Sequence, residues 1–186
     1  MKTLLQSLKV LQRRQRYLKL KASRLLSNPK RLFALLSGIG VLCLLGYSLS
    51  SSIAVSYGNS VDKKVFWKTA PEALKRGDYV IVKTEAEDPF AKGRLITKKI
   101  GCTEGQTLEI KGDDYYCEGD YLGRAKHKSK TGIPVKPFNP CDSESCRFPI
   151  PGGHCFVVGT HPDSYDSRYF GPVPYEKIVW RLIPLW

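Results

Sequence analysis

From Leu32 to Val61 the chain carries no charged side chain, and no other feature restricts its fold as much. The centre of this run, Phe33-Ala-Leu-Leu-Ser-Gly-Ile-Gly-Val-Leu-Cys-Leu-Leu-Gly-Tyr47, is strongly apolar. A spanning helix needs roughly 20 such residues, so Leu32 to about Ile53 is long enough to cross a bilayer despite the serines at 48 and 50–52. Of the 30 Lys and Arg residues, ten lie in residues 1–31, where there is no acid. That leaves 20 to set against 17 acidic residues in the remainder. The net charge of +13 therefore belongs mainly to the tail, which also argues against a nucleic-acid-binding surface on the rest of the chain. Basic flanks stay on the cytoplasmic side of a span. The expected order is a basic cytoplasmic tail at 1–31, a transmembrane anchor at 32–54 and an external domain at 55–186. A cleaved signal peptide has a short basic region and an apolar run of about 7–15 residues, and both are exceeded here. Leucines at helical spacing between residues 3 and 26 suggest a basic amphipathic helix on anionic lipid, with a solvated tail as the alternative.

The remaining sequence reads as short β-type runs broken by Gly, Pro and Asp. Strands are expected at 78–83, 94–100, 107–110, 114–117, 154–158 and 177–180, with a brief helix at Pro71–Arg76. The Pro-rich stretch 133–151 reads as a long connection or an edge segment. The fold class is mostly β with little helix, preceded by one N-terminal transmembrane helix.

Cysteine usage agrees with export. Cys43 lies in the apolar run and reads as a small apolar residue. Cys102, Cys117, Cys141, Cys146 and Cys155 all fall in the external domain, where disulfides are favoured. Five is odd, so at least one is free or pairs elsewhere. A hairpin would join Cys102 to Cys117, and a short loop would join Cys141 to Cys146. A zinc site from Cys141, Cys146, His154 and Cys155 is the rival, but no second close cysteine pair supports it, and no metal or other cofactor is expected.

Two stretches stand out for chemistry: Tyr57-Gly-Asn-Ser-Val-Asp-Lys-Lys-Val-Phe-Trp67 and Gly159-Thr-His-Pro-Asp-Ser-Tyr-Asp-Ser-Arg-Tyr-Phe-Gly171. The second resembles the G-D-N-x-x-x-S-x-D-S-R-x-x-G box of signal peptidase I. Ser164, Asp166, Ser167, Arg168 and Gly171 match it, while Thr160 and His161 replace the Asp-Asn. The ending Arg-Tyr-Phe-Gly-Pro-Val is similar to TraF-type peptidases of conjugative transfer, as is the final Ile-Pro-Leu-Trp186. Leu95-Ile-Thr-Lys-Lys-Ile-Gly-Cys-Thr-Glu-Gly-Gln106 resembles the family's lysine strand and turn. With Gly105 and Gln106 on its Gly-Asp positions, Lys98 takes the place of the catalytic lysine. Asn59-Ser-Val-Asp-Lys-Lys-Val-Phe-Trp67 resembles the nucleophile segment, with Ser60 as the aligned serine and Pro and Gly lost at Asp62 and Lys63–Lys64. The family often has an oxyanion-binding serine two residues earlier, where this chain has Gly58.

The resemblance implies a signal peptidase I-like β domain and a Ser60–Lys98 dyad. Ser164, Asp166 and Arg168 would support it, and the Ser60 N–H would serve as one oxyanion donor. Chemically, a serine needs a base. A lysine serves only as a neutral amine, which its ordinary pKa of about 10.4 forbids near neutrality unless burial lowers it. Lys98 and Lys99 point to opposite sides of a strand, so one can be buried while the other is solvated. The implied substrate is an exported precursor or propilin, bound as an added strand. Membrane lipid and a conjugative transfer or secretion apparatus are the implied partners, and no nucleic acid is expected. The implied location is the inner membrane, with the domain in the periplasm. Phe66, Trp67, Trp180, Leu185 and Trp186 would form either an interfacial rim or part of the core. Two alternatives stay open: a scaffold that keeps the fold without activity, and a general signal peptidase I.

Overall fold

The computed structural model describes residues 14–15 and 28–186 and divides at Ser51/Ser52 into two units. The expected amphipathic helix at 3–26 lies outside the described residues, apart from Arg14 and Gln15, which are helical.

The described part of the first unit is essentially one helix, α1 (Pro29–Ser52). Asn28 caps it, its Oδ1 accepting from the Lys30 and Arg31 N–H groups. Pro29 follows at the position where its missing N–H costs nothing. In the serine-rich half, Ser50 and Ser51 return their hydroxyls to the carbonyls of Tyr47 and Ser48, so these polar groups find partners within the helix. At about 1.5 Å per residue the helix is roughly 36 Å long, enough to cross a bilayer. None of its side chains is buried by protein. It starts three residues before the apolar run and stops at Ser52.

The second unit is built from two antiparallel sheets. The larger has the order β1-β2-β11-β3-β4-β9-β10 and the smaller β7-β6-β5-β8. The larger sheet comprises β1 (Ile53–Val55), β2 (Val65–Thr69), β3 (Tyr79–Lys83), β4 (Leu95–Thr103), β9 (His154–Val158), β10 (Val173–Pro174) and β11 (Ile178–Pro184). The smaller comprises β5 (Thr107–Lys111), β6 (Asp114–Cys117), β7 (Asp120–Arg124) and β8 (Ser145–Pro149). The domain is mostly β, as the alternating sequence runs require. The Pro-rich stretch yields β8, an edge strand, where proline is tolerated.

Strand alternation builds the core. On β9, Phe156 and Val158 join a cluster with Leu108, Ile110, Tyr115 and Cys117 that unites the two sheets. Cys155 and Val157 face the other way, with Val80, Val82 and Ile100. On β4 the register shifts between Ile100 and Cys102, which makes Gly101 the extra residue of a bulge. The bulge turns Cys102 to the opposite cluster from Ile100.

One expectation is corrected, and one open alternative is decided. Pro71–Arg76 is not a helix: Ala73 has a φ of 47°, and Asp78 closes a turn onto Lys75 through both its N–H and its carboxylate. The positive φ at Ala73 and the competing Lys75–Asp78 turn break the helical path. The short helix is instead α2 (Ser167–Phe170), capped by Asp166, with a 3-10 turn at Tyr175–Lys177. Phe66 is a core residue with no exposure, packed with Val61, Tyr79 and Leu182, and takes no part in a rim. Trp67, Trp180, Leu185 and Trp186 remain exposed.

Cys102 is joined to Cys117 and Cys141 to Cys146. The first bond does not close a hairpin. It ties β4 of the larger sheet to β6 of the smaller through the shared core, with both residues fully buried. Cys155 is free and buried, and burial pushes its thiol up to about 12.

Candidate active site

Lys98 sits on β4 opposite Val80 of β3, two residues before the core residue Ile100 and on the same face. That placement buries it to 2% exposure. Lys99 points the other way, its ammonium 5.7 Å from the centre of the Tyr79 ring. Burial is the main cause that lowers the Lys98 pKa, to about 8. The Asp166 carboxylate acts against that shift and the Arg168 guanidinium with it. Lys98 Nζ donates to Ser164 Oγ at 2.6 Å.

Ser164 is placed by the segment that leaves β9. Its N–H bonds the His161 carbonyl at 3.0 Å, closing a tight turn. Beyond it, Asp166 and Arg168 form a bidentate pair, with Nε on Oδ1 at 2.8 Å and Nη2 on Oδ2 at 2.7 Å. Both side chains are essentially excluded from water. Such a pair is tolerated only when the remaining donors and acceptors are satisfied, and here they are. Asp166 also accepts from the Gly159 and Arg168 N–H groups, and Arg168 donates to the Arg124 carbonyl. Gly123, at a φ of 124°, leaves the space that the guanidinium occupies. Ser167 Oγ accepts from the Val157 N–H and locks α2 onto β9.

Ser60 lies in the loop between β1 and β2. Its carbonyl accepts from the Thr160 N–H at 2.8 Å. A Cβ at Gly159 would overlap the Ser164 Oγ and Cβ and come within 2.5 Å of that same carbonyl. Gly159 is thus the close-approach point that lets the Ser60 loop and the Ser164 turn meet. Ser60 Oγ itself makes no hydrogen bond among the described residues, and the Ser60 N–H donates to none. The loop is held from its other end as well. Val61 is buried, Tyr79 Oη donates to Asp62 Oδ1 at 2.7 Å, and Lys64 Nζ donates to the Gly58 carbonyl at 2.6 Å. The Tyr79 bond is the first cause that holds the Asp62 carboxyl below its ordinary value.

The sequence singled out Ser60, Lys98, Ser164, Asp166 and Arg168; Ser60, Ser164 and Asp166 meet at Gly159, Lys98 is held by Ser164, and Arg168 by Asp166. It overlooked Gly159, Thr160 and the Asp62–Tyr79 bond. A glycine at the head of the box, before two polar residues, was the available signal for the first. The histidines make no hydrogen bond to Ser60 among the described residues: His127 pairs with Asp113, His154 with the Gly152 carbonyl, and His161 with its own turn. Cys141 and Cys146, ligands in the rival zinc reading, are consumed in their mutual disulfide. Two adjoining cavities of about 460 and 300 Å³ share Tyr121, Leu122, Gly159 and Thr160 and form a groove beside the cluster.

The model of the signal peptidase, peptidase S26 family matches residues 33–186. The chain belongs to this family. A further match is the mitochondrial ATP-independent inner membrane protease subunit 1b of Arabidopsis thaliana, 49% identical over 47 residues. That match covers 22% of this chain and 27% of the relative, so the chain spans about a quarter of that protein's length. Among solved structures, a signal peptidase I from Enterococcus faecalis V583 is similar at 23% identity. It covers 60% of this chain and 98% of its own, with a TM-score of 0.39. Membership of the S26 family rests on the sequence match, which takes in most of α1 and the whole β domain.

Proposed function

We propose that this S26 family member is a membrane-anchored serine endopeptidase with Ser60 as nucleophile and Lys98 as general base. The observation that carries the reading is a lysine buried on a strand, its pKa lowered to about 8, held on Ser164 Oγ beside the Ser60 main chain. Neutral Lys98 takes the hydroxyl proton as Ser60 Oγ bonds to the scissile carbonyl carbon. The oxyanion is met by the Ser60 N–H, which has no other acceptor among the described residues. The C–N bond then breaks and Lys98 returns the proton to the leaving amine. Lys98 next deprotonates a water, which attacks the ester carbonyl and releases Ser60. Ser164 aims the amine, and the Asp166–Arg168 pair holds Ser164 in place.

The substrate is an exported precursor bound as an added strand. Leu95–Lys98 pair with β3 alone, because β9 begins its pairing with β4 at Lys99. That leaves one edge of the lysine strand open for main-chain bonds to a substrate. The TraF-like ending of the box favours propilin maturation in conjugative transfer. The basic flank favours an orientation with the N-terminus inside and the domain periplasmic. A catalytically silent scaffold is the second reading, favoured by Gly58 at the usual donor position and by the unbonded Ser60 Oγ. The deciding experiment co-expresses this protein with a candidate precursor and determines the precursor's mass and N-terminal sequence. Ser60→Ala and Lys98→Met are each expected to abolish processing at normal expression. Processing retained in either variant would refute the dyad.

A further inference from the structure

Arg124-Ala-Lys-His-Lys-Ser-Lys-Thr-Gly-Ile-Pro-Val-Lys136 holds five Lys or Arg residues, one His and no acid. The peptidase reading gives this stretch no task. It folds into a closed hairpin, with a bridge between Lys128 and Pro134. Ser129 N–H bonds the Ile133 carbonyl at 2.8 Å, and Val135 N–H bonds the His127 carbonyl at 2.9 Å. Against the box segment the hairpin encloses a cavity of about 260 Å³.

One wall of the cavity carries Lys126, Lys128 and Lys130. Phe90, Tyr165 and Tyr169 line the same cavity as an aromatic surface, with ring centres 4.9 and 5.4 Å apart along the series, and Tyr169 Oη accepts from the Lys126 N–H. The one acid lining the cavity is Asp163. It accepts from Lys126 and stands 3.3 Å from Lys130. The hydrogen bond from Lys126 is the first cause that holds its carboxyl below the ordinary value. Three lysines thus line a cavity that holds one carboxylate, and Lys128 has no ion-pair partner among the described residues.

We propose that this pocket binds a phosphate group, either free or carried as an ester. Asp163 already fills the planar carboxylate's place between Lys126 and Lys130. The charge left over calls for a ligand that accepts from several directions at once. A phosphate has oxygens all round, and lysine meets it as a compact point charge with three donors. The Ser129 and Thr131 hydroxyls also line the cavity; they bond each other at 3.0 Å, which leaves one of the two as a further donor. The rings offer apolar surface to whatever carbon skeleton the phosphate carries. Asp163 and Tyr165 flank Ser164 in sequence, so the pocket and the acceptor of Lys98 are parts of one segment.

The test is calorimetric titration of the full chain in zwitterionic detergent, at fixed ionic strength. The probes are inorganic phosphate, glycerol 3-phosphate, dioctanoyl phosphatidylglycerol and acetate. Saturable one-to-one binding of a phosphate-bearing probe is expected. Lys128→Gln should weaken it by roughly tenfold, the factor that about 1.4 kcal/mol represents. Lys128 is exposed and unpaired, so that variant keeps the fold, and an unchanged unfolding midpoint verifies it. Binding in which the lipid far exceeds the two water-soluble phosphates assigns the source to a phospholipid headgroup. Equal binding of all three assigns it to free phosphate or phosphate esters. Acetate binding as tightly as phosphate, no saturable heat with any probe, or affinity unchanged in Lys128→Gln would each overturn the proposal. None of these outcomes depends on whether Ser60 cleaves a peptide.

Discussion

Lys98 Nζ and Ser164 Oγ are 2.6 Å apart, and each side chain is at most 3% exposed. The acceptor is neutral. A carboxylate in that place would stabilise the ammonium and raise its pKa, whereas a hydroxyl directs the amine while leaving burial in control. The nearest carboxylate, Asp166, is occupied by Arg168, whose own charge pushes Lys98 further down.

Cleavage should therefore rise with pH as Lys98 loses its proton, with a midpoint at about 8. Below that pH the base is blocked by its own proton, and above it the rate levels off. A kcat/KM profile on a processed precursor checks this. A midpoint near the ordinary lysine value of about 10.4 would contradict Lys98 as the base.

The same burial has a consequence for stability. Between about 8 and 10.5 the unfolded chain holds a proton on Lys98 that the folded chain has released. Stability from this group thus rises with pH across that window and is least below it. The penalty at neutral pH is on the order of 3 kcal/mol. Lys98→Met removes it, at the loss of one hydrogen bond to Ser164. The variant should unfold at higher denaturant than wild type at pH 7, and the gap should close as the pH approaches 10. Chemical denaturation of the full chain in detergent at the two pH values measures both.

The strands that alternate cleanly were legible in the sequence. Asp114–Cys117 and His154–Val158 appear within the limits expected from period-2 patterning. β1, β2 and β7 were not, for separate reasons. Ile53–Val55 is continuous in composition with the apolar run of α1, so no local signal marks the switch from helix to strand. Val65–Thr69 sat inside a segment read for its serine, and Asp120–Arg124 carries charge and glycine that belong to turns. At the site, Lys98 emerged through a register tied to Gly105, a turn glycine with a φ of 78°. The contacts that unite the Ser60 loop with the box are main-chain bonds, such as Thr160 N–H to the Ser60 carbonyl. Main-chain bonds leave no trace in side-chain identity, and Gly159 was the one residue that could have betrayed them.

Asp166→Asn should destabilise the domain by about 3–5 kcal/mol, because it leaves Arg168 buried without a counter-charge. An amide keeps one acceptor oxygen and turns N–H toward the other donors, so the loss includes one main-chain bond, from Gly159 or from Arg168, as well as the charge. Replacing both partners together, Asp166→Asn with Arg168→Met, should cost less than the sum of the two single changes. A double-mutant cycle by urea unfolding decides it, and additivity would mean that the pair contributes nothing as a pair.

Loss of the Cys102–Cys117 bond should cost about 3 kcal/mol, the chain-entropy value for a loop of some 15 residues. The bond crosses between the two sheets inside the shared core, so serines in its place bury two hydroxyls there and add to the loss. Cys141–Cys146 runs from an exposed Cys141 to a buried Cys146 only five positions on, and the shorter loop makes its loss matter less. Unfolding midpoints of the two double-serine variants measure the difference, and equal effects would argue against the ordering.

Gly58 offers a gain-of-function test of the nucleophile assignment. A Cβ built there lies 3.8 Å from Ser60 Oγ and 3.9 Å from Ser60 N, with nothing closer. Gly58 is outside the left-handed region, so a side chain costs no backbone strain. A serine hydroxyl at 58 would then reach the space in front of the Ser60 N–H, where the oxyanion forms. Loss of such a donor costs other serine hydrolases on the order of a hundredfold or more in kcat, so adding one should raise kcat by about tenfold. KM should stay level, because the new bond is made only in the transition state. Gly58→Ala fills the same space without a donor and serves as the control. A rise in kcat for serine but not alanine places the oxyanion beside residue 58 and Ser60 at the reacting carbon. Equal kcat in Gly58→Ser, Gly58→Ala and wild type would remove that placement.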